Sequence, residues 1–286
     1  MTILGRIGTS VRDALTGTLQ GTGRVGNVAI DTVRDTTANA LRSARSVGGE
    51  VGNLAQDAVV GTLQAAGNVG GAAGTVVRDS TIGVIQGVGM VGTATTTMLH
   101  DVVVGAIRGS SGVGAELGTA TQSAVEGALR GGASVGLTGQ ESVVQVTRGT
   151  IDATREVGGA LTDAARGTVA GVIAAVAGTA GDVTTATTAT TRQLISSAAQ
   201  TGEDVAEVAV SAVNGAIDAA RTTGQNVEET ASAAARGAID AAYDVSDAAG
   251  DAVRDAVTGT ISGVRVVVDT ARSGDNENDQ NRQQSA

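Results

Sequence analysis

The residues that could carry chemistry in this sequence are few, and they recur at fixed positions. His100, the one histidine, precedes Asp101, and Arg-Asp doublets begin at Arg12, Arg34, Arg78 and Arg254. An imidazole beside a carboxylate suits general acid–base catalysis, and it could also be one of the several ligands that a metal site needs. His100 occupies the place in the pattern that arginine occupies at those doublets, so we interpret both as parts of a polar helix face. The pattern predicts no catalytic residue and no metal site.

A phosphate-binding loop is the second kind of site to consider. Gly21–Gly26 and Gly87–Gly92 both match G-x-G-x-x-G, a motif that binds a dinucleotide when it joins a strand to a helix. The two matches start 66 residues apart, which is three periods of the repeat described below, so the repeat accounts for them. We therefore expect no cofactor and no small-molecule substrate.

The composition limits the classes of function. The chain has 286 residues and a formal net charge of −10, its 19 basic residues are all arginine, and it lacks Cys, Pro, Phe and Trp. A negative field without a basic stripe repels nucleic acid, and the absence of Cys excludes disulfides and thiolate metal sites. With one Tyr and 43 Gly, small and aliphatic side chains must supply all packing, which favours thin contacts between elongated elements.

The elements that position these residues follow one 22-residue repeat. A Leu or Ile recurs every 22 residues, twelve times without an insertion, at Leu19, Leu41, Leu63, Ile85, Ile107, Leu129, Ile151, Ile173, Ile195, Ile217, Ile239 and Ile261. Between them, apolar or small residues fall three or four apart, which is helix spacing. An eleven-residue repeat keeps an apolar stripe on one helix face. The pattern predicts an all-α protein: a long, essentially continuous amphipathic helix of twelve repeats, extended, back-folded or bundled.

A β-solenoid with 22-residue rungs is the alternative fold. Gly, Val, Thr and Asn suit the strands and turns of such a coil. Ala-rich segments such as 231–242 suit it poorly, because Ala is depleted in strands. Opposite charges three residues apart, as in Asp163–Arg166 and Asp218–Arg221, also favour the helix, since such pairs stabilise one helix face.

Glycine pairs four residues apart predict a helix-packing face at one phase of the repeat. The clearest pairs are Gly83 and Gly87, Gly105 and Gly109, and Gly127 and Gly131. Small residues at this spacing let two helix backbones approach closely. Together with the twelve Leu and Ile positions, they form a face of Gly, Ala, Val and Thr that covers nearly half of the helix circumference.

The predicted domain organisation is simple. Residues 1–5 are a lead-in, residues 6–272 form the repeat helix, which contains no Pro to end it, and residues 273–286 are a disordered, polar and acidic tail. No secretory signal is evident, because Met1–Val11 lacks a long apolar segment. We expect a cytoplasmic protein, with association to a membrane or granule as the alternative.

The eleven-residue amphipathic pattern resembles two groups of proteins. One is the hendecad coiled coils, and the resemblance implies long helices that assemble into bundles. The other is the lipid-surface helices of the perilipin, synuclein and apolipoprotein families. Segments 60–64 (VGTLQ) and 257–263 (VTGTISG) are similar to the Thr-, Val- and Gly-rich units of perilipins. That resemblance implies binding to a lipid surface, although those families flank the apolar face with Lys and this chain has none.

Two functions are therefore predicted. The first is a non-enzymatic structural protein that self-associates as a homo-oligomer through its small-residue face into an elongated bundle, tube or filament. The alternative is an amphipathic coat on a membrane, a lipid droplet or a polymer granule, with the apolar face in the interface. A fixed glycine phase favours the first, because packing between helices requires it and a lipid surface does not.

Overall fold

A computed structural model describes residues 27–45, 51–67, 73–92, 94–179 and 181–268. Within them the chain forms eleven helices and one two-stranded sheet. In chain order these are α1 (Asn27–Arg45), α2 (Val51–Gly67), α3 (Ala73–Gly89), α4 (Thr96–Gly112), α5 (Leu117–Ser134), α6 (Gln140–Glu156), α7 (Leu161–Gly178), α8 (Val183–Thr201), α9 (Val205–Thr223), α10 (Val227–Val245), α11 (Asp247–Val257), β1 (Gly259–Ile261) and β2 (Val264–Val266). The predicted lead-in, Leu19, the first G-x-G-x-x-G match and the predicted tail lie outside the described residues.

The all-α prediction is confirmed, but the prediction of one continuous helix is wrong. The described helices have 11 to 19 residues, so the longest spans roughly 28 Å at 1.5 Å per residue. The chain leaves its helices at glycines with positive φ, namely Gly92, Gly114, Gly136, Gly158, Gly202 and Gly224. Glycine adopts positive φ without a steric penalty, and it is therefore the usual residue at a helix C-terminus. These glycines stand at one phase of the 22-residue repeat, so one repeat is one helix and one turn. The β-solenoid alternative is also wrong.

A capping side chain starts the next helix soon after several of these turns. Asp182, Asp204 and Asn226 accept hydrogen bonds from backbone amides in the first turns of α8, α9 and α10. Such caps satisfy amides that have no partner within the helix. Gly202 and Gly224 stand two residues before their caps. This Gly-x-Asp/Asn spacing is a stop-and-start signal for helices, and it is the signal that the sequence analysis missed.

The helices pack in two layers. Odd-numbered helices lie side by side in one layer, even-numbered helices lie in the other, and each helix also contacts the next one across the layers. Neighbours within a layer are parallel, because Gly83 and Gly87 of α3 meet Ile30 and Arg34 of α1 in the same order. The main contacts reach only to the next helix and the next but one, which is the nearest-neighbour organisation of helical solenoids.

The Leu and Ile series of the repeat is buried where the helices pack on each other. Its ten members from Leu41 to Ile239 are at most 8% exposed, and Ile261 is half-buried in β1. The buried apolar residues form two clusters, the first reaching from α1 to α7 and the second from α6 to β2. The apolar face of the described helices is therefore covered by the chain's own neighbouring helices.

The repeat helix ends earlier than predicted. From Gly259 to Val266 the chain forms an antiparallel hairpin, and its turn holds Ser262 and Gly263, both with positive φ. Segment 264–268 (VRVVV) is rich in β-branched residues, which favour a strand. Arg221 of α9 donates a hydrogen bond of 2.8 Å to the carbonyl oxygen of Ser262. The last part of the predicted helix is thus a hairpin packed on the end of the stack.

Candidate functional site: the glycine seams and the gap beside Gln193

The predicted packing glycines lie where parallel helices of one layer touch. A Cβ added at Gly127 would stand 2.6 Å from the carbonyl oxygen of Arg78, and one at Gly215 would stand 2.3 Å from that of Arg166. Real Cβ atoms do not approach backbone atoms this closely, so only glycine fits without a shift. Similar carbonyl contacts occur at Gly83, Gly87, Gly105, Gly149, Gly167, Gly171 and Gly237. At Gly109 and Gly131 a Cβ would meet a Leu or Ile side chain first and a backbone Cα at 3.2 Å. We call these contacts the glycine seams.

The seams repeat one geometry along the stack. From α4 onward, a seam glycine meets the residue 49 positions earlier, as Gly105 meets Gln56 and Gly237 meets Thr188. A glycine inside a helix costs about 1 kcal/mol relative to Ala. The close approach that it permits adds van der Waals contact between backbones and allows weak Cα–H···O=C interactions. The seams therefore fix both the spacing and the register of neighbouring helices.

Charged side chains connect the same parallel neighbours near the surface. Examples are the ion pairs Arg78–Glu126, Arg108–Glu156, Arg166–Asp218 and Arg192–Asp244. The sequence predicted that Asp218 would pair along its own helix with Arg221, but Asp218 pairs with the preceding helix of its layer. Exposed ion pairs contribute little to stability individually. Their placement on the same helix pairs as the glycines supports the seam register.

His100 is partly buried rather than fully solvated as the sequence suggested. Its Nδ1 lies 3.1 Å from a carboxylate oxygen of Asp101, and its Nε2 lies 3.0 Å from one of Asp152, so the ring bridges α4 and α6. Burial lowers the pKa of His100, but hydrogen bonds to Asp152 and Asp101 more than offset burial, and the net pKa is raised. Both ring nitrogens are thus engaged in fastening two helices. The described residues hold no group of three or more metal-binding side chains.

The second G-x-G-x-x-G match crosses the end of α3. Gly87 and Gly89 belong to the helix, and Gly92 forms the following turn with φ +74°. A dinucleotide-binding motif should follow a strand and open a helix, whereas this segment closes a helix. Gly87 is also a seam glycine that packs against the backbone of Arg34.

One helix of the stack departs from the seam pattern. Helix α8 has Gln193 at the phase where the other helices from α3 to α10 have Gly83, Gly105, Gly127, Gly149, Gly171, Gly215 and Gly237. Helix α8 also packs less extensively on α6 than the other full-length neighbours pack within their layers. A half-buried glutamine cannot lie between two touching backbones, so it accounts for the separation. The two apolar clusters meet at this part of the stack.

An open cavity of about 350 Å³ lies beside this gap. Its apolar wall comes from α5 to α8 and from the turn between α5 and α6, and it includes Leu129, Leu137, Val143, Val176, Ala186 and Ala189. Ser142 also lines the cavity; it is 1% exposed, and its Oγ has no hydrogen-bond partner. Exposed Asp182 is a further lining residue, and hydrogen bonds from Thr185 and Thr184 lower its pKa to about 2. No feature of the repeat pattern had predicted a cavity.

Comparisons with known proteins give no family for this chain. No protein-family model matches it, and a search of curated proteins found no match. Among the described helices, none is both long enough and apolar enough to cross a bilayer.

Proposed function

We propose that this chain is a non-enzymatic structural protein that self-associates through its small-residue helical face into elongated assemblies. The observation that supports the proposal is the repetition of one contact geometry. Backbone-to-backbone seams at a single phase join α1 to α3 and continue to α10, interrupted at Gln193. Glycine at each of these positions lowers helix propensity, but it also allows the close backbone contacts that hold the helices in a regular array.

The use of the reactive side chains also supports a structural role. His100 fastens α4 to α6 through Asp152, and Arg166 fastens α7 to α9 through Asp218. These were the residue types that could have carried acid–base or anion-binding chemistry. Their partners lie on neighbouring helices of the stack, where they stabilise the register.

Self-association through this face then requires copies of the chain to exchange helices. The Leu and Ile series of the described helices is already buried within one chain, so a second copy can reach the same face only by replacing a helix of the first. Exchange of identical elements is a common route to oligomers, because every contact is re-formed in the partner. The less extensive contact between α6 and α8 is where the stack should open most easily.

Light scattering across a wide range of protein concentration tests the proposal. We expect masses that are multiples of 27.8 kDa and that rise with concentration, with slow exchange between fluorescently labelled copies because helices must separate first. A particle of 27.8 kDa at all concentrations would overturn self-association. Small-angle scattering at the same concentrations gives the radius of gyration, which is about 19 Å for a compact single chain of this length and should be larger for an elongated assembly.

Circular dichroism with and without lipid separates the proposal from the alternative of a surface coat. Because the helices pack on each other, we expect full helicity in buffer and no change when liposomes or oil droplets are added. Helicity that appears only with a lipid surface would overturn the structural proposal and favour the coat.

A further inference from the structure

We infer that the cavity beside Gln193 is a binding site for a small, uncharged molecule with a mainly aliphatic body and one hydrogen-bonding group. This site goes beyond the proposed structural role, which needs no ligand. It also differs from the expectation, drawn from the sequence, that the protein takes no small molecule.

The first step of the argument is the origin of the cavity. From α3 to α10 a seam glycine brings parallel helices into backbone contact, and α8 is the exception because it carries Gln193. By the seam register of 49 residues, Gln193 faces the part of α6 near Val144. Gln193 does not itself line the cavity, but the lining residue Ala189 lies one helical turn before it on α8, so the cavity lies next to the gap.

The second step is the fit between the cavity and a ligand. Its volume of about 350 Å³ falls at the small end of the range for ligand sites, about 300–1,000 Å³. Leu129, Val143 and Val176 from three different helices supply an aliphatic wall. Apolar walls with a few placed polar groups are typical of small-molecule sites. A compact aliphatic ring or short chain therefore suits this space better than an extended polar molecule.

The third step is the unpaired hydroxyl of Ser142. Buried hydroxyls on these helices usually donate to the carbonyl oxygen four residues earlier, as Ser110 does to Ala106 at 2.6 Å. Ser142 stands in the first turn of α6, and the residue four positions earlier, Thr138, precedes the helix. Its buried Oγ has no hydrogen-bond partner. A buried polar group without a hydrogen bond is unfavourable, and rotation of the Ser142 side chain towards the cavity would let a ligand with one hydroxyl or carbonyl group satisfy it.

The fourth step is the charge of the ligand. Asp182 lines the cavity, and its lowered pKa of about 2 keeps it ionised at neutral pH. Its carboxylate oxygens already accept hydrogen bonds from the Thr184 and Thr185 hydroxyls and the Thr185 amide. The described lining residues include no Arg and no His. A carboxylate ligand would be repelled by Asp182, and a cation would lose its hydration against the mainly apolar wall, so a neutral ligand fits.

Methyl NMR with two matched probes tests the site on the full chain. Cyclohexanol should shift the methyl signals of Leu129, Leu137, Val143 and Val176 in a saturable way, and cyclohexanecarboxylate should not at the same concentrations. If cyclohexanol shifts none of these signals, the inference is overturned. Equal binding of the carboxylate would overturn the argument from charge.

Two serine variants test the polar anchor. Ser142→Ala should weaken cyclohexanol binding about tenfold, the usual effect of losing one buried hydrogen bond. Ser110→Ala is the matched control, because that serine is also buried in an even-layer helix but already has a partner. Equal affinities of wild type and both variants would show that Ser142 does not anchor the ligand.

A third variant tests the origin of the cavity. Gln193→Gly restores the seam, so α8 should approach α6 and cyclohexanol binding should be lost. Gln145→Gly places the same change on α6 at another half-buried position, and it controls for the helix propensity of glycine. Should Gln193→Gly fail to fold, Ala189→Leu fills the cavity from its wall and should also abolish binding. Undiminished binding in the folded variant would mean that Gln193 does not hold the cavity open.

Discussion

Replacing glycine by alanine at one of the two tightest backbone contacts, Gly215, should destabilise the protein, although the same change stabilises most helices. At Gly215 the new Cβ would stand 2.3 Å from the carbonyl oxygen of Arg166 and 3.0 Å from its carbonyl carbon and Cα, whereas ordinary contacts begin at 3.4 Å. Helix α9 must therefore move by about 1 Å, since the atoms in the way are backbone atoms. Overpacking of this kind costs about 1–3 kcal/mol.

The opposing term is helix propensity. Replacing Gly by Ala inside a helix gains about 1 kcal/mol, so Gly215→Ala should leave a net loss of up to about 2 kcal/mol in the free energy of unfolding. Gly112→Ala is the matched control, because Gly112 is helical and a Cβ there would meet nothing within 4 Å. The free energy of unfolding of Gly112→Ala should rise by up to about 1 kcal/mol. The two substitutions are chemically identical, and the predicted effects have opposite signs.

Urea unfolding followed by far-UV circular dichroism measures both effects. Gly149→Ala extends the test, because its Cβ would stand 2.7 Å from the carbonyl oxygen of His100, and its loss should be smaller than that of Gly215→Ala. The seam argument fails if Gly215→Ala is as stable as Gly112→Ala, since α9 and α7 would then have room for a side chain between them.

Three further predictions concern the turns, the caps and the histidine bridge. Gly202→Ala should lower the free energy of unfolding by about 1–2 kcal/mol, because Ala is strained at the observed φ of +75°. Gly202→Asn should lower it less, because Asn adopts positive φ more readily than Ala. Equal urea midpoints for the two variants would contradict this. The pKa of Asp182 is lowered to about 2. Its stabilisation of the folded state should therefore be complete above its ordinary pKa of 3.8 and disappear as the pH falls towards 2. An Asp182→Asn variant should lose the fall in urea midpoint over this pH range. Hydrogen bonds to Asp152 and Asp101 raise the pKa of His100. The stabilisation that protonated His100 gives the folded state should therefore be complete below pH 6.5, its ordinary pKa, and be lost as the pH rises through the raised pKa. If the urea midpoint of a His100→Gln variant has the same pH dependence as that of the wild type, this prediction is wrong.

The sequence predicts the class of the fold because hydrophobic periodicity is a local property. Spacings of three and four place Ile107 and Ile173 on one face of their helices, and both are fully buried. The phase of the close-packing glycines could also be predicted, since Gly105 and Gly127 recur at one position of the repeat and both meet a neighbouring backbone. These predictions need no knowledge of which helix is the neighbour.

The turns could not be predicted from the period alone. Twenty-two residues fit two eleven-residue units of a continuous helix, and they equally fit one helix and a short turn, such as Val205–Thr223 with residues 224–226. Two glycine phases look alike in the sequence, yet Gly127 packs inside a helix while Gly136 ends one with φ +85°. What separates them is context: a turn glycine is followed by a capping residue or a new helix start, and that signal extends over only a few residues.

The cavity was beyond sequence reasoning for a different reason. Gln193 is visibly an exception to the glycine phase, but a single exception in a repeat has no physical meaning until its neighbour is known. The neighbouring part of α6 lies about 49 residues earlier, and only the two-layer arrangement shows that register. Likewise, the buried hydroxyl of Ser142 has no partner, and no local sequence signal distinguishes it from the buried hydroxyls that donate to the carbonyl oxygen four residues earlier, such as that of Thr147.

The small-residue face of a helix can pack on a helix of the same chain or on one of another copy. Which of these forms depends on how the helices are linked along the chain, because the face is the same in both cases. Once a turn glycine reverses the chain, the next face of the same phase is held nearby at an effective concentration of about millimolar. A separate copy at lower concentration competes poorly with it, so the contacts form within one chain first. Assembly through the face then requires a seam to open, and the opening should be easiest where Gln193 replaces glycine. A Gln193→Gly variant should consequently exchange labelled helices between copies more slowly than the wild type, whereas Gln145→Gly should not.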